Sequence, residues 1–223
     1  MVKRISVIIP AYNEEKRILG VLDKINNKLF DEIIVVDDGS NDRTSDIVKK
    51  YKYARLIRNK KNKGKSFAVL RGLKMARNNL VMLIDSDLIN LTEKNISDLA
   101  KPVLEGSADV TISLRRRAIC QLMGIDIFSG ERVFDKRLLK ESELKELKGY
   151  GLEVYINSKI IENNLRLKVV NWKNVIGIIK SQKEGFVKGW INEIRMFIDI
   201  IFLSISPSKS IRQILKLRAL RVK

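Results

Sequence analysis

Two carboxylates stand one residue apart directly after an apolar run of the chain. Asp85 and Asp87 flank Ser86, and the preceding residues 80–84 read LVMLI. Hard divalent cations such as Mg²⁺ take oxygen ligands and are commonly held by one or two carboxylates together with substrate phosphates. The pair therefore predicts a metal site that can hold a diphosphate. From residues 85–87 alone, an acidic turn or a helix cap is an open alternative.

Polar residues also follow two earlier strand-like runs. Residues 32–36 lead into the segment 37–42, which reads DDGSND, and residues 4–9 lead into the segment 10–14, which reads PAYNE. Carboxylates in such places can accept hydrogen bonds from the imide of uracil or from ribose hydroxyls, while capping of the next helix is the alternative. Open α/β sheets bind ligands outside the carboxyl ends of their strands. Three polar strand ends therefore predict one binding site.

The elements that must position these residues are predicted by the alternation of short β-branched runs with amphipathic segments. This alternation is typical of βαβ units around a mostly parallel sheet and predicts an α/β fold. The predicted strands are residues 4–9, 32–36, 54–57, 80–84 and 109–113, and the predicted helices are residues 14–26, 44–51, 66–76, 95–104, 136–147 and 154–163. Residues 119–134 show no clear period.

The last part of the chain differs in character. Over residues 190–206 the polar side chains fall on one narrow helical stripe and the rest is apolar, and the tail after Pro207 is basic without an acidic residue. A C-terminal amphipathic helix with a basic tail suits an anionic membrane surface. Packing on the rest of the chain or on a second subunit is the alternative. We expect one domain over residues 1–180 and a membrane-associating segment over residues 181–223.

The composition limits the kinds of site and partner. The 223 residues include 44 Lys and Arg against 26 Asp and Glu, a formal charge of +18 that favours polyanionic partners. Without histidine and with Cys120 as the only cysteine, neither an internal disulfide nor a Cys/His metal cluster can form, so oxygen atoms must hold any metal. The chain starts without a signal-peptide pattern, and no apolar stretch approaches the about 20 residues of a membrane span, so a cytoplasmic location is expected. A nucleic-acid-binding protein is a distant alternative, disfavoured by scattered basic residues and 6% aromatics.

Four segments together resemble, in order and spacing, the motifs of GT-A fold glycosyltransferases of family 2. They read VIIPAYNE at residues 7–14, IVVDDGSND at 34–42, NKGKS at 62–66 and DSDL at 85–88. The resemblance implies a nucleotide-diphospho-sugar transferase fold with a mostly parallel, Rossmann-like sheet, a UDP- or GDP-sugar donor and a Mg²⁺ or Mn²⁺ cofactor. Residues 1–115 would form the sugar-nucleotide-binding half, and residues 116–180 the acceptor half.

The resemblance also implies a role for each matching residue. The residues that would bind the donor nucleotide are Pro10, Tyr12, Glu14, Asp38, Lys65, Asp85 and Ser86. Asp87 would coordinate the metal directly, and Asp85 would lie toward the ribose or a metal-bound water. A solvated lysine at the start of a helix is the alternative for Lys65.

The second half resembles two groups within these enzymes. FSGERVF at residues 128–134 resembles the Ser-Gly-x-Arg segment of polyprenyl-phosphate (dolichyl-phosphate) sugar transferases. The same segment, with DSDLIN at 85–90 and GYGLE at 149–153, is similar to glucosyl-3-phosphoglycerate synthase. Both resemblances imply a phosphate-bearing acceptor. The residues expected at the acceptor or its phosphate are Arg115, Gly130, Glu131 and Arg132, and the expected catalytic residues are Asp87, Arg132 and Glu153.

Several roles in this half stay open. Glu153 can act as a base, position the acceptor, or stabilise the N-terminus of a helix, and Asp126 and Glu131 are competitors for the base. Arg132 can pair with a phosphate through its planar fork or form a surface salt bridge. Many of the resembled enzymes place a histidine late in the chain at the metal or the acceptor, and this chain has none.

The predicted function is transfer of a hexose from a nucleotide-diphosphate sugar to a phosphate-bearing acceptor. A polyprenyl phosphate or another membrane lipid is the favoured acceptor, because the amphipathic segment and basic tail predict a peripheral location on the cytoplasmic membrane face. A soluble enzyme similar to glucosyl-3-phosphoglycerate synthase is the alternative. The sequence decides neither the sugar nor the nucleotide, and it leaves open whether the reaction inverts or retains the anomeric configuration.

Overall fold

The computed structural model describes residues 4–25, 29–115, 118–145, 147, 151–177 and 207–222. Its strands are β1 (Ile5–Ala11), β2 (Phe30–Asp37), β3 (Ala54–Arg58), β4 (Leu80–Leu83), β5 (Leu88–Ile89), β6 (Val110–Arg115), β7 (Arg132–Asp135), β8 (Leu167–Trp172) and β9 (Ile176–Gly177). Its helices are α1 (Ile18–Leu22), α2 (Thr44–Lys50), α3 (Lys65–Met75), α4 (Glu93–Leu104), α5 (Ala118–Met123), α6 (Glu141–Leu144), α7 (Gly151–Glu162) and α8 (Pro207–Ala219). The predicted amphipathic helix at 190–206 lies outside the described residues.

Seven of the strands form one mixed, mostly parallel sheet in the order β3-β2-β1-β4-β7-β6-β8. The pairs β1–β2, β1–β4, β2–β3 and β6–β8 are parallel, whereas β7 is antiparallel to both of its neighbours. β5 and β9 form a separate antiparallel pair. The predicted α/β fold, with a mostly parallel sheet and flanking helices, is confirmed.

β7 is a strand that the sequence pattern does not predict. It lies in the sheet between β4 and β6, with Arg132 opposite Leu83 and Phe134 opposite Val81. Four residues are too few to show a period of their own, and a charged residue at the first position interrupts the apolar run. The strand brings Arg132 into the buried middle of the sheet, where none of its surface is exposed.

The core lies on both faces of the sheet, because successive residues of a strand point to opposite faces. On one face, Ile8 and Val36 pack with apolar residues of α3, α7 and α8. On the other face, Ile9 and Val35 pack with apolar residues of α1 and α4. The strands that carry the predicted site are therefore held between two layers of helices.

The first helix is much shorter than the predicted span of 14–26. The backbone N–H groups of Asn13, Glu14 and Glu15 donate to side chains of the segment 40–44, at distances of 2.9, 2.8 and 3.0 Å. Asn13 has a positive φ of 57°, which a helix cannot accommodate. Residues 12–15 thus serve as a connection between strand ends rather than as a first helical turn.

The basic tail forms a helix that packs on the helices covering one face of the sheet. Leu217 of α8 is fully buried in the core face that contains α7. Beyond the helix, the N–H of Leu167 donates to the carbonyl of Leu220, and the N–H of Val222 donates to the carbonyl of Leu167, both at 2.9 Å. The tail is thereby tied to the start of β8. Among the described residues, no helix is both long enough and apolar enough to span a bilayer.

Candidate active site

The carboxyl ends of β1, β2 and β4 lie side by side at one edge of the sheet. Ala11 is level with Asp37 at the ends of β1 and β2, and Ile8 of β1 is level with Leu83 at the end of β4. The segment 84–87 leaves the sheet at this edge. The structure therefore brings the three predicted polar strand ends together.

Lys65 joins two carboxylates that come from distant parts of the chain. Its Nζ lies 2.6 Å from Oδ1 of Asp85 and 2.8 Å from Oε1 of Glu153. Burial raises the pKa of Asp85, but the charges of Lys65 and Arg115 outweigh burial and hold that pKa below its ordinary value. Burial likewise opposes the charge of Lys65, yet Asp85 and Glu153 raise the pKa of its amine above its ordinary value. The start of α3, the segment after β4 and the first turn of α7 thus meet in one ion-pair cluster.

Asp87 differs from Asp85 in its electrostatic surroundings. It is partly exposed, and within the described part of the chain its carboxylate accepts no hydrogen bond and forms no ion pair. Burial first, and then the negative charges of Asp85 and Glu14, raise the pKa of Asp87 to about 7. A carboxylate with such a shift in a polar edge of a sheet is a candidate functional group.

Asp87, with Asp85 beside it, fits a divalent cation that binds together with a diphosphate. Asp87 supplies a hard oxygen donor that the described residues do not engage, whereas Oδ1 of Asp85 is paired with Lys65. The crowding that raises the pKa of Asp87 is a charge imbalance that a cation would relieve. Among the described residues there is no group of three or more Cys, Asp or Glu side chains that could enclose a metal. The remaining ligands would therefore come from substrate phosphates and water, as is common for Mg²⁺.

Gly130 lies directly against this cluster. A Cβ atom at Gly130 would stand 2.4 and 2.5 Å from the two carboxylate oxygens of Asp85 and 2.6 Å from Nζ of Lys65. Such distances are too short for any side chain, so the position requires glycine while the ion pair keeps its place. Gly130, which the sequence places at the acceptor or its phosphate, therefore approaches the Lys65–Asp85 pair through its backbone.

Glu131 and Arg115 form a buried pair behind Asp85. Oε1 of Glu131 lies 3.3 Å from Nη1 of Arg115, which is 4% exposed, and Glu131 is fully buried. The Glu131 carboxylate also accepts hydrogen bonds from the hydroxyls of Ser113 and Ser129, at 2.7 and 2.9 Å. Burial raises the pKa of Glu131 above its ordinary value, although Arg115 opposes the shift. Both side chains are thus directed into the protein rather than toward solvent.

Arg132 is also turned inward. Its Nε donates to the carbonyl of Ser129 at 2.8 Å, its Nη2 to the carbonyl of Ile127 at 2.8 Å, and its Nη1 to Oδ1 of Asn157 at 2.6 Å. Burial lowers the pKa of Arg132 to about 10, although nearby carboxylates oppose the shift. The planar fork is therefore used to hold the loop that carries Gly130, rather than forming the surface salt bridge that the sequence left as an alternative.

Asp38 organises the loop that leads to α3. Its two oxygens accept hydrogen bonds from Nδ2 of Asn59 at 2.5 Å, from the N–H of Lys63 at 3.0 and 3.1 Å and from the N–H of Gly64 at 2.6 Å. Asp38 is 3% exposed. It therefore fixes the backbone immediately before Lys65.

The other expected donor-binding residues occupy the same edge with different exposure. Pro10 is a buried residue of β1, Tyr12 is 37% exposed, and Glu14 is half-buried and pairs with Arg17 at 2.6 Å. Ser86 is buried between the two carboxylates. Tyr12 presents the most surface of these residues to a ligand.

Asn157 is a functional neighbour that the motifs do not include. It is fully buried on α7, accepts from Arg132, and donates its Nδ2 to the carbonyl of Ile127 at 2.9 Å. Its position four residues after Glu153 places both side chains on one helix face, and this spacing was the available signal. Asp126, a competitor for the base, is buried and accepts from the N–H of Phe128 at 3.1 Å.

Comparison with protein families gives a match over most of the predicted domain. The family model described as Glycosyl transferase family 2 matches residues 6–147. An uncharacterized protein of Methanocaldococcus jannaschii is 32% identical over a region covering 72% of this chain and 83% of that protein. The match thus extends beyond residues 1–115, where the sequence predicts the sugar-nucleotide-binding half.

Proteins with named activities match over a shorter length. The dolichyl-phosphate beta-glucosyltransferase of Mus musculus is 37% identical, covering 44% of this chain and 37% of the mouse protein. The dolichol-phosphate mannosyltransferase of Pyrococcus furiosus is 39% identical, covering 50% of this chain and 33% of that protein. This chain therefore spans about a third of the length of these two relatives.

A solved structure matches most of the fold. Glucosyl-3-phosphoglycerate synthase of Mycobacterium tuberculosis, in complex with Mn²⁺, UDP-glucose and phosphoglyceric acid, has a TM-score of 0.67 and 27% sequence identity. The superposition covers 82% of this chain and 74% of that chain. The expected similarity to both groups of enzymes is confirmed.

Proposed function

The chain belongs to glycosyltransferase family 2, and we propose that it moves a hexose from a nucleotide-diphosphate sugar to a polyprenyl phosphate or a related phosphate-bearing membrane lipid. The observation that carries this proposal is the Asp87 carboxylate, which is not engaged by the described residues and lies beside the Lys65–Asp85 pair. Donor diphosphate and cation would bind at this carboxylate.

The donor end of the site combines one metal-binding carboxylate with one fixed positive charge. A divalent cation held by Asp87 would offset the charge that develops on the leaving diphosphate. Lys65 holds a proton firmly, since its pKa is raised by two carboxylates, and it supplies positive charge to the same region. Asp38 keeps the loop before Lys65 in place through the N–H groups of residues 63 and 64.

Glu153 is the candidate for the acceptor side. One of its oxygens pairs with Lys65, while the other, Oε2, is buried and accepts no hydrogen bond within the described part of the chain. A buried acceptor atom without a partner is unfavourable unless a ligand satisfies it. We assign to this oxygen the hydroxyl or phosphate-bound proton of a substrate, which Glu153 would position or accept.

A lipid acceptor is favoured by the relatives and by the charge of the chain. The two named relatives act at dolichyl or dolichol phosphate by their names, and the formal charge of +18 favours an anionic surface. Peripheral binding to the cytoplasmic membrane face, with residues 181–223 as the contact, completes this proposal. The boundary at residue 180 remains a prediction.

A soluble acceptor is the second candidate function. The observation that favours it is the structural match to an enzyme whose complex contains phosphoglyceric acid. The chain lacks histidine altogether, so a metal or acceptor contact made by histidine in related enzymes would need another group here. We therefore rank this candidate second.

The donor proposal is tested by binding and slow hydrolysis of UDP-, GDP- and dTDP-sugars in the presence and absence of Mn²⁺. We expect one nucleotide class to bind in a Mn²⁺-dependent manner. Asp87→Asn should abolish Mn²⁺-dependent hydrolysis without lowering the melting temperature, because the charge it removes is unfavourable in the folded state. Asp46→Asn, which alters a carboxylate with 66% side-chain exposure on α2, is the matched control and should behave as the wild type. Mn²⁺-dependent hydrolysis by Asp87→Asn at the wild-type rate would remove the metal assignment.

The acceptor proposal is tested with the donor class found in that experiment. Polyprenyl phosphate in detergent and 3-phosphoglycerate are offered in parallel, and sugar transfer is followed by mass spectrometry. Transfer to polyprenyl phosphate supports the lead proposal. Transfer to 3-phosphoglycerate alone would replace it with the second candidate.

A further inference from the structure

The helix α8 has an inner face that is fixed to the rest of the domain. Leu217 is fully buried, Nε2 of Gln213 donates to the carbonyl of Val154 at 3.2 Å, and Nδ2 of Asn157 donates to Oε1 of Gln213 at 3.2 Å. Two hydrogen bonds and one buried anchor set both the position and the rotation of the helix on α7. The residues on its opposite side therefore face away from the domain in a defined orientation.

The outer face of α8 carries an apolar stripe. Ile211 is 58% exposed and Leu215 is 60% exposed. They lie one turn apart, and Ala219 continues the same line a further turn along, because residues four apart share a helix face. A single exposed leucine is ordinary on a protein surface. Two large aliphatic side chains aligned on a rigidly docked helix form a surface that a partner can use.

Basic residues border this stripe on both sides. At 100° per residue, Arg212 and Lys216 lie along one side and Arg218 along the other, and all three are exposed. The sequence from residue 207 to the end contains no acidic residue. A narrow apolar stripe between rows of positive charge matches a partner with an apolar interior and an anionic surface, which is the chemistry of an anionic lipid bilayer.

Other occupants fit the same face less well. Two copies that met through this face about a two-fold axis would bring identical basic rows together, and each chain already carries a formal charge of +18. Nucleic acid would use the basic rows but leave the apolar stripe in water. A lipid surface satisfies both features.

We propose that the outer face of α8, with Ile211 and Leu215 between Arg212, Lys216 and Arg218, docks on the surface of an anionic lipid bilayer. This inference extends the membrane part of the proposed function, and the donor chemistry does not depend on it. Because α8 packs on α7, which carries Glu153 in its first turn, docking keeps α7 one helix layer from the bilayer surface.

Co-sedimentation of the full chain with vesicles tests the docking face. Vesicles of phosphatidylcholine alone are compared with vesicles rich in phosphatidylglycerol. We expect binding to the anionic vesicles only, weakened by salt. The double variant Ile211→Ser/Leu215→Ser should weaken binding about ten-fold or more, since both side chains leave the acyl boundary. Arg212→Gln/Lys216→Gln should weaken it by more than ten-fold, at about five-fold for each basic residue near the surface.

The matched control is Leu19→Ser. Leu19 is a 47% exposed aliphatic residue of α1, which packs on the opposite face of the sheet, so its loss should leave vesicle binding unchanged. All four proteins should share one melting temperature within a few degrees, because the altered side chains are exposed. This comparison separates docking from folding.

Three results would overturn the proposal. They are absence of binding to any vesicle, equal binding by wild type and both α8 variants, and a wild-type dimer that the Ile211→Ser/Leu215→Ser variant dissociates in sedimentation velocity. Mn²⁺-dependent donor hydrolysis is measured on the same samples. Loss of vesicle binding with intact hydrolysis supports the docking face, whereas absent hydrolysis in the wild type with intact vesicle binding refutes the catalytic proposal alone.

Discussion

The approach of Gly130 to the Lys65–Asp85 ion pair predicts that a single methyl group at this position disrupts donor turnover. In Gly130→Ala, the added Cβ would lie 2.4 Å from Oδ1 of Asp85 and 2.6 Å from Nζ of Lys65. Ordinary van der Waals contact begins near 3.4 Å, so the carboxylate must retreat by about 1 Å. A displacement of about 1 Å in a catalytic group can reduce turnover about 100-fold. We expect a fall of that order in kcat/KM for the donor.

The variant should still fold. The atoms in the way are the ends of two flexible side chains, and overpacking of this kind lowers the free energy of unfolding by about 1–3 kcal/mol. The assay is Mn²⁺-dependent donor hydrolysis, accompanied by a chemical denaturation curve. A fall in kcat/KM much larger than the fraction of unfolded protein locates the effect in the site.

Gly20→Ala is the matched control. Gly20 lies on α1, and a Cβ there would meet no atom within 4 Å. Replacing a helical glycine with alanine stabilises by about 0.5–1 kcal/mol, and hydrolysis should be unchanged. If Gly130→Ala kept the wild-type kcat/KM, the close approach of Gly130 would not matter for the geometry of the ion pair, and the reasoning would be wrong.

Two further substitutions test residues that hold the loops beside the Lys65–Asp85 pair. Arg132→Lys removes a planar fork that donates three hydrogen bonds to buried oxygens, so the free energy of unfolding should fall by about 3 kcal/mol. The control is Arg137→Lys, which alters a side chain that is 72% exposed and should leave the free energy of unfolding unchanged. Equal denaturation midpoints for these two variants would refute the anchoring role. In Asp38→Asn, an amide nitrogen replaces a carboxylate oxygen that accepts hydrogen bonds from Asn59 and from the N–H groups of residues 63 and 64. Because a charge-assisted hydrogen bond is lost, the Kd for the nucleotide sugar, measured by calorimetry, should rise about ten-fold or more. A donor Kd equal to that of the wild type would show that the loop before Lys65 does not need this carboxylate.

The fold of the first 115 residues could be predicted because its signals are local. Each predicted strand of the first 115 residues corresponds to a strand of the sheet, and β1, β2 and β4 end in polar residues that the parallel order brings to one edge. Parallel pairing supplies the missing spatial information, since it fixes which ends of the strands are neighbours. Asp85, Asp87 and Asp38 were therefore accessible to sequence reasoning as members of one site.

The contacts of the second half of the chain could not be predicted in the same way, because they join residues with no common local pattern. Lys65 and Glu153 are separated by 88 positions, and Arg132 and Asn157 by 25. The motif containing Arg132 indicated a phosphate contact, yet antiparallel β7 turns that side chain into the interior. Whether a charged residue faces a ligand or anchors a loop depends on the elements that pack around it in the fold. The four residues of β7 carry no local pattern that indicates this packing.

The donor and acceptor sides of the proposed site are also held in place by different parts of the chain. Lys65 begins α3, which Asp38 anchors through the backbone before it, so the donor side depends on contacts between neighbouring βαβ units. Glu153 begins α7, whose buried Asn157 joins Arg132 of β7 on one side and Gln213 of α8 on the other. The proposed acceptor side is thus held in part by the C-terminal helix, whose outer face is the proposed docking surface.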